Sequence, residues 1–324
     1  MRFPRSLGLL GLYVGAQLVA LGLAFPFIHL GYQTTANPGA VSNVIPYLVI
    51  IVVAPLGILF LAGRAPNSLS VLRYLLLGAI WFALLYTLYG AFSLFLPAPL
   101  GLTTGYTLDP GLLAAFLVAD TATLALLMEP QWYVVDGVGF LAAGSLIALL
   151  GISLGILPAL ILLAALMVYD AVAVYGTKHM LSLADVVTDM KLPILMVMPA
   201  RAGFDYSSVK SLKEHRESVH EAPGSREATF MGLGDVIIPG ILVVSAFVFL
   251  PAHPLAAGIT SNLGVALLSL VGSLLGYGIL MGLVSRGNPQ AGLPFLNGGA
   301  IVGYVLSYVA IYHSWGLGIP WPPL

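Results

Sequence analysis

The chain contains no cysteine. That excludes disulfides, thiolate metal sites and cysteine nucleophiles together. Charge is nearly as scarce: only 8% of the 324 residues are Asp, Glu, Lys or Arg, and the formal net charge is −1. A balance so close to zero argues against a nucleic-acid-binding chain. The six histidines are scattered, and the closest pair, His215 and His220, lies five residues apart in a charged loop. They do not share a helix face as zinc ligands would, so neither a metal nor another cofactor is expected.

What the chain has instead is apolar surface. Hydrophobic residues make up 59% of it, and its mean hydropathy is +1.01. A soluble domain cannot hide that much, which points to an all-α polytopic membrane protein. The first stretch, "MRFPRSLGLLGLYVGAQLVALGLAFPF", starts basic like a signal peptide, but its apolar run is long enough for a spanning helix. At about 20 apolar residues per crossing, nine spans are predicted: 7–29, 44–62, 71–96, 110–128, 134–153, 156–178, 230–250, 255–284 and 293–314. Turn-forming stretches such as "TTANPGA", "GRAPNS", "LPAPLG" and "PAHP" separate them.

With nine spans, the N-terminus and the even-numbered loops share one side of the membrane. All twelve basic residues fall there, from Arg2 and Arg5 to Arg286. The positive-inside rule makes that side cytoplasmic and leaves the C-terminus outside, in what would be a cell membrane. The chain then divides into residues 1–178 with six spans, a cytoplasmic loop 179–229, and residues 230–324 with three spans. The loop opens with "KLPILMVMPA", interfacial or tucked against the bundle. It continues as "SSVKSLKEHRESVHEAPGSREA", a mobile linker or short exposed helix. No internal repeat is visible, which lowers the case for a secondary transporter.

Four aspartates lie within or near spans, where an ionised carboxyl costs several kcal/mol. Asp136 lies near the inner end of the fifth span and is expected as a wetted helix end. Asp120, in "VADTATL", is expected to make an interhelical hydrogen bond. Asp170 and Asp235 differ because their depths match. Asp170 stands about 8 residues, or roughly 12 Å, from the inner end of the sixth span. Asp235 enters a few residues into the seventh, after Gly232 and Gly234, which permit close backbone approach. Tyr169 can hydrogen-bond beside Asp170. Two facing carboxyls share one proton, so one can take a proton from water while the other gives one to a peptide carbonyl. Such a site needs a hydrated cavity opening to the cytoplasm.

The stretches "VYDAVAVYG" and "GLGD" resemble the paired signatures of the GxGD-type intramembrane aspartyl proteases, the presenilin and signal peptide peptidase family. There, YD lies in the sixth of nine spans and GxGD in the seventh. The resemblance implies a presenilin-like fold, Asp170 and Asp235 as catalytic pair, and a transmembrane helix as substrate. The family's third signature, Pro-Ala-Leu, opens the ninth span; here Ala291, Gly292 and Leu293 occupy that place, followed by Pro294, and only the leucine survives. An intact Pro-Ala-Leu at Pro158–Leu160 lies at the outer end of the sixth span and is coincidental. The orientation is that of presenilins rather than the inverted signal peptide peptidases, and a compact cysteine-free chain resembles a prokaryotic, archaeal homologue.

Unwound substrate could pair as an added strand, with "REATFM" and the segment around Leu293 as the candidate partners. The spacings Gly272/Gly276 and Gly299/Gly303 point to close helix packing. Two other readings remain open: a channel or proton-coupled transporter using the same aspartates, and a prepilin-type peptidase, against which the Tyr-Asp of the sixth span speaks. The lipid bilayer is the expected surrounding, and a homo-oligomer is compatible with the sequence.

Overall fold

In the computed structural model the described residues are 5–31, 33–64, 68–96, 100–101, 107–177, 194–199, 204, 206, 228–255, 258–284 and 290–319. Among them, nine helices carry the apolar runs. They are α1 (Arg5–Leu30), α2 (Val44–Arg64), α3 (Ser68–Phe95), α4 (Pro110–Met128), α5 (Trp132–Ser153), α6 (Ile156–Ala171), α7 (Leu233–Phe249), α8 (Ser261–Val284) and α9 (Leu293–Tyr312). Eight of these segments, α6 counted with the turn that follows it, are long and apolar enough to cross a membrane, and α7 is shorter at 17 residues. The chain is a multi-pass membrane protein.

Two small antiparallel sheets complete the fold. One pairs β1 (Leu100–Gly101) with β2 (Thr107–Leu108); the other pairs β3 (Leu195–Pro199) with β4 (Ala228–Gly232). In the second, Met196 faces Met231 and Val197 faces Phe230. The Leu233 amide donates to the Ile194 carbonyl at 2.8 Å, so the pairing runs up to the first residue of α7.

Helix α7 is the axis of the bundle. It packs against α1, α5, α6, α8 and α9, and every residue from Ile238 to Ala246 is buried. A helix that is apolar all round belongs in such a position. By contrast, α2 touches little beyond α6, α3 and the short turn before it. Its Ile45, Val49, Ile50, Val53, Leu56 and Phe60 are exposed, an apolar face turned toward lipid.

The closest crossing joins α8 to α9. A Cβ added to Gly272 would run into the main chain of Gly299 and Gly303, and one added to Gly276 would strike the Phe295 carbonyl. The predicted small-residue spacings therefore do bring two backbones together. Ser269 and Ser273 of α8 donate to the carbonyls of Ala300 and Leu296 at 3.0 and 3.1 Å, fixing the register.

Several expectations need correcting. The seventh span was predicted from residue 230, but 228–232 form β4 and the helix starts at Leu233. Thr229 and Phe230 suit a strand, and β3 supplies its partner. The eighth span was predicted from 255 and begins at Ser261. Residues 254 and 260 pair in an isolated bridge instead, the Leu255 amide donates to the Ile259 carbonyl at 2.8 Å, and Gly258 has φ +76°, outside the helical region. Asp136 is not wetted: it is 4% exposed, and its Oδ1 accepts the Val197 amide of β3 at 2.7 Å. The described part of "KLPILMVMPA", residues 194–199, is thus tucked against the bundle through its strand, which packs on α5 and α1. Asp120 accepts from Trp81 Nε1 at 2.7 Å, the interhelical bond expected of it. Of the predicted linker at 207–228, residues 207–227, with His215 and His220, lie outside the described residues, and Ala228 opens β4.

Candidate active site

Asp170 and Asp235 both stand at helix ends. Asp170 is the penultimate residue of α6, after which the chain widens into a π turn over Val172–Gly176. Asp235 is the third residue of α7, and Gly232 is its N-cap. From there the carboxyl reaches back to the Gly232 amide, as an acidic side chain does in a capping box. Two orphan-donor regions thus meet the two acids: the start of α7 under Asp235, and the start of α9 opposite Asp170.

The start of α9 brings the pair together. The Leu293 amide, first of that helix, donates to Asp170 Oδ2 at 3.0 Å. One residue earlier, a Cβ built on Gly292 would lie 2.9 Å from Asp235 Oδ2 and 3.0 Å from its Oδ1. A single step of backbone, 292 to 293, therefore touches both carboxyls. Asp170 is buried and Asp235 half-buried, and the positive end of the α9 dipole favours negative charge between them.

The other predicted residues fall as follows. Tyr169 is half-buried beside Asp170 and packs on the apolar core. Ala291 is fully buried and Leu293 nearly so, while Pro294 sits in the first turn of α9, where its missing N–H costs nothing. Gly232 has φ −64° and ψ 137°, open to any residue. A Cβ on Gly234 would meet no described heavy atom within 4 Å. A Cβ on Gly232 would lie 3.4 Å from Asp235 Oδ2, an ordinary contact, and the tightest of the three glycines is Gly292.

Two contacts escaped the sequence. The Tyr175 hydroxyl donates to Gln290 Oε1 at 2.8 Å and accepts the Ala291 amide at 3.1 Å. Nothing in "VYDAVAVYG" announces this, since it depends on the π turn. Asn297 Nδ2 donates to the Leu163 carbonyl at 3.1 Å, tying α9 to α6 just above the acids. Among the described residues no three His, Asp or Glu side chains converge as metal ligands.

The fold and the site define a class: a helical multi-pass membrane protein with two acids at helix ends set against one step of backbone. The family model described as "Signal-peptide peptidase, presenilin aspartyl protease" matches residues 10–312. Two solved structures, each of a presenilin family intramembrane aspartate protease, resemble the chain throughout. The one in space group C222 has 28% identity and a TM-score of 0.64, covering 94% of this chain and 99% of its own. The one in space group P2 has 30% identity and a TM-score of 0.59, covering 92% and 95%. No curated protein sequence matches the chain. The chain belongs to the signal-peptide peptidase and presenilin aspartyl protease family, and it is an intramembrane aspartyl protease.

Proposed function

We propose that Asp170 and Asp235 are the catalytic pair and that the protein hydrolyses peptide bonds within transmembrane helices of other membrane proteins. The observation that carries this reading is the shared step of backbone: Leu293 holds one carboxyl while Gly292 lies under the other. The pair shares one proton. The ionised carboxyl takes a proton from water as the water oxygen attacks the scissile carbonyl carbon. The protonated carboxyl gives its proton to the carbonyl oxygen, forming a gem-diol. Collapse of the gem-diol then returns a proton to the pair, delivers one to the amide nitrogen and breaks the C–N bond.

Substrate binds around Gly232 and the open surface at Gly234 and along Ala291, Gly292, Leu293 and Pro294, with Tyr169 lining the acid on α6. A helix must unwind before its carbonyls can be attacked, and the β3–β4 hairpin leading into Asp235 supplies strand geometry beside it. The N-terminus and residues 179–229 lie in the cytoplasm and the C-terminus outside, in the presenilin sense, because all twelve basic residues fall on that side. Residues 1–178 and 230–324 each bring one acid.

The test is cleavage of a reporter carrying one transmembrane helix by the purified protein in bilayers. Asp170→Asn and Asp235→Asn should each abolish cleavage with melting unchanged. Full activity in either variant defeats the assignment, and aspartate-dependent ion flux without cleavage would favour a transporter instead.

A further inference from the structure

The π turn after Asp170 places a hydroxyl that the two-acid reaction does not itself require. In an unbroken α-helix, residue 175 would stand about 140° round from residue 170 at about 100° per residue. The wider turn over Val172–Gly176, closed by the Thr177 amide on the Val172 carbonyl at 3.0 Å, winds the chain less per residue and brings Tyr175 back toward the acid's side. Such π turns recur at functional sites. Here the result is a clasp: Tyr175 Oη gives its one proton to Gln290 Oε1 at 2.8 Å and receives the Ala291 amide at 3.1 Å. A hydroxyl has one donor and two lone pairs, so the two bonds are compatible.

The clasped residues are those immediately before the site. Gly292 follows Ala291 and lies under Asp235; Leu293 comes next and donates to Asp170. The place of Ala291 is where the resembled motif has proline. A proline would fix φ and would have no N–H to donate. Ala291 lacks that restraint, but it has the amide, and the amide goes to Tyr175.

We infer that Tyr175 is a positioning residue whose hydroxyl clamps Gln290 and Ala291, so that the 292–293 backbone stays against the two acids, replacing the stiffness a proline at 291 would supply. The inference rests on the proposed catalytic role of Asp170 and Asp235. It makes the altered third motif one half of a two-part device, the other half lying on α6.

The test uses the full chain in bilayers with the single-helix reporter. Tyr175→Phe keeps the ring and removes the hydroxyl. It should lower kcat about five- to tenfold, the worth of one or two hydrogen bonds, with KM within about twofold and melting unchanged. Adding Ala291→Pro to that variant should restore most of the lost kcat, because the ring then supplies the restraint. Should the proline variant fail to fold, Gln290→Leu serves: it should lower kcat less than Tyr175→Phe and add nothing to it in the double variant. Wild-type kcat in Tyr175→Phe overturns the inference. So does a rise in KM alone, which would make Tyr175 a substrate contact, and so do losses that multiply in the Tyr175→Phe, Gln290→Leu double variant. The asparagine variants separate the two claims. If they are inert while Tyr175→Phe is wild-type, only the clamp falls; if they cleave, the proposed catalytic pair falls first.

Discussion

Replacing Gly272 with alanine puts a methyl group where the backbone of α9 already stands. The new Cβ would lie 2.9 Å from Gly303 Cα and 3.0 Å from its nitrogen, and would overlap the Gly299 carbonyl oxygen. These are main-chain atoms in mid-helix, so none can swing aside as a side-chain tip can. Carbon contacts become favourable only from about 3.5 Å, so the helices must part by roughly 0.6 Å or more. Overpacking of this kind costs about 1–3 kcal/mol. It also loosens the Ser269 and Ser273 bonds to α9, now 3.0 and 3.1 Å. Since α9 begins at the residue that holds Asp170, misplacement at the site should follow, and displacements approaching 1 Å cost up to about a hundredfold in rate. Gly272→Ala is therefore expected to melt several degrees lower and to cleave the reporter at least about tenfold more slowly. The control is Gly278→Ala on the same helix, where no described heavy atom lies within 4 Å of the added Cβ. A mid-helix glycine costs about 0.5–1 kcal/mol relative to alanine, so that variant should be as stable as the parent or more so, with full activity. Circular dichroism melting in detergent and the cleavage assay read both. A Gly272→Ala protein that melts and cleaves like Gly278→Ala would refute the close-crossing argument.

Two further outcomes follow from polar contacts outside the pair. Asp136→Asn keeps an oxygen for the Val197 amide and should preserve stability, whereas Asp136→Ala leaves that amide buried and unpaired at about 1–3 kcal/mol and should slow cleavage, because β3 aligns the strand entering α7; equal melting of both variants would count against the role. Asp109 caps α4, and the Tyr89 hydroxyl, with the Leu112 and Gly111 amides, holds its carboxyl below the usual carboxylate range. A depressed carboxyl stabilises above its unfolded value and loses that contribution as pH falls through its folded value, so Tyr89→Phe should raise the Asp109 titration midpoint measured by NMR, and an unchanged midpoint would exclude the hydroxyl as the main cause.

How much of this was legible depends on the range of the interaction. The spans were readable because hydropathy and the one-sided distribution of Lys and Arg are properties of single segments. The two acids were readable because each brings its own context, "YD" and "GLGD", at a matched depth. The glycine crossing of α8 and α9 was readable from spacing alone. The start of α7 was not, because "ATFMG" becomes a strand only against Leu195–Pro199, whose paired residues stand 29 to 37 positions earlier. Asp136 misled for a similar reason: its partner is a backbone amide 61 residues away, and main-chain donors leave no mark in a sequence. Tyr175 stayed hidden because a helical wheel at the regular period turns it away from the site, and only the π turn reverses that.

The brevity of α7 has a consequence for the helices around it. Seventeen residues at the helical rise span about 25 Å, less than the roughly 30 Å hydrocarbon core of a typical bilayer. β4 adjoins α7 at its Asp235 end, and strand backbone could not face hydrocarbon unaided. The helices packed around α7, rather than lipid, must therefore surround that end, so the depth at which Asp235 sits is set by protein packing. Lipid thickness then reaches Asp235 only through the helices that enclose α7.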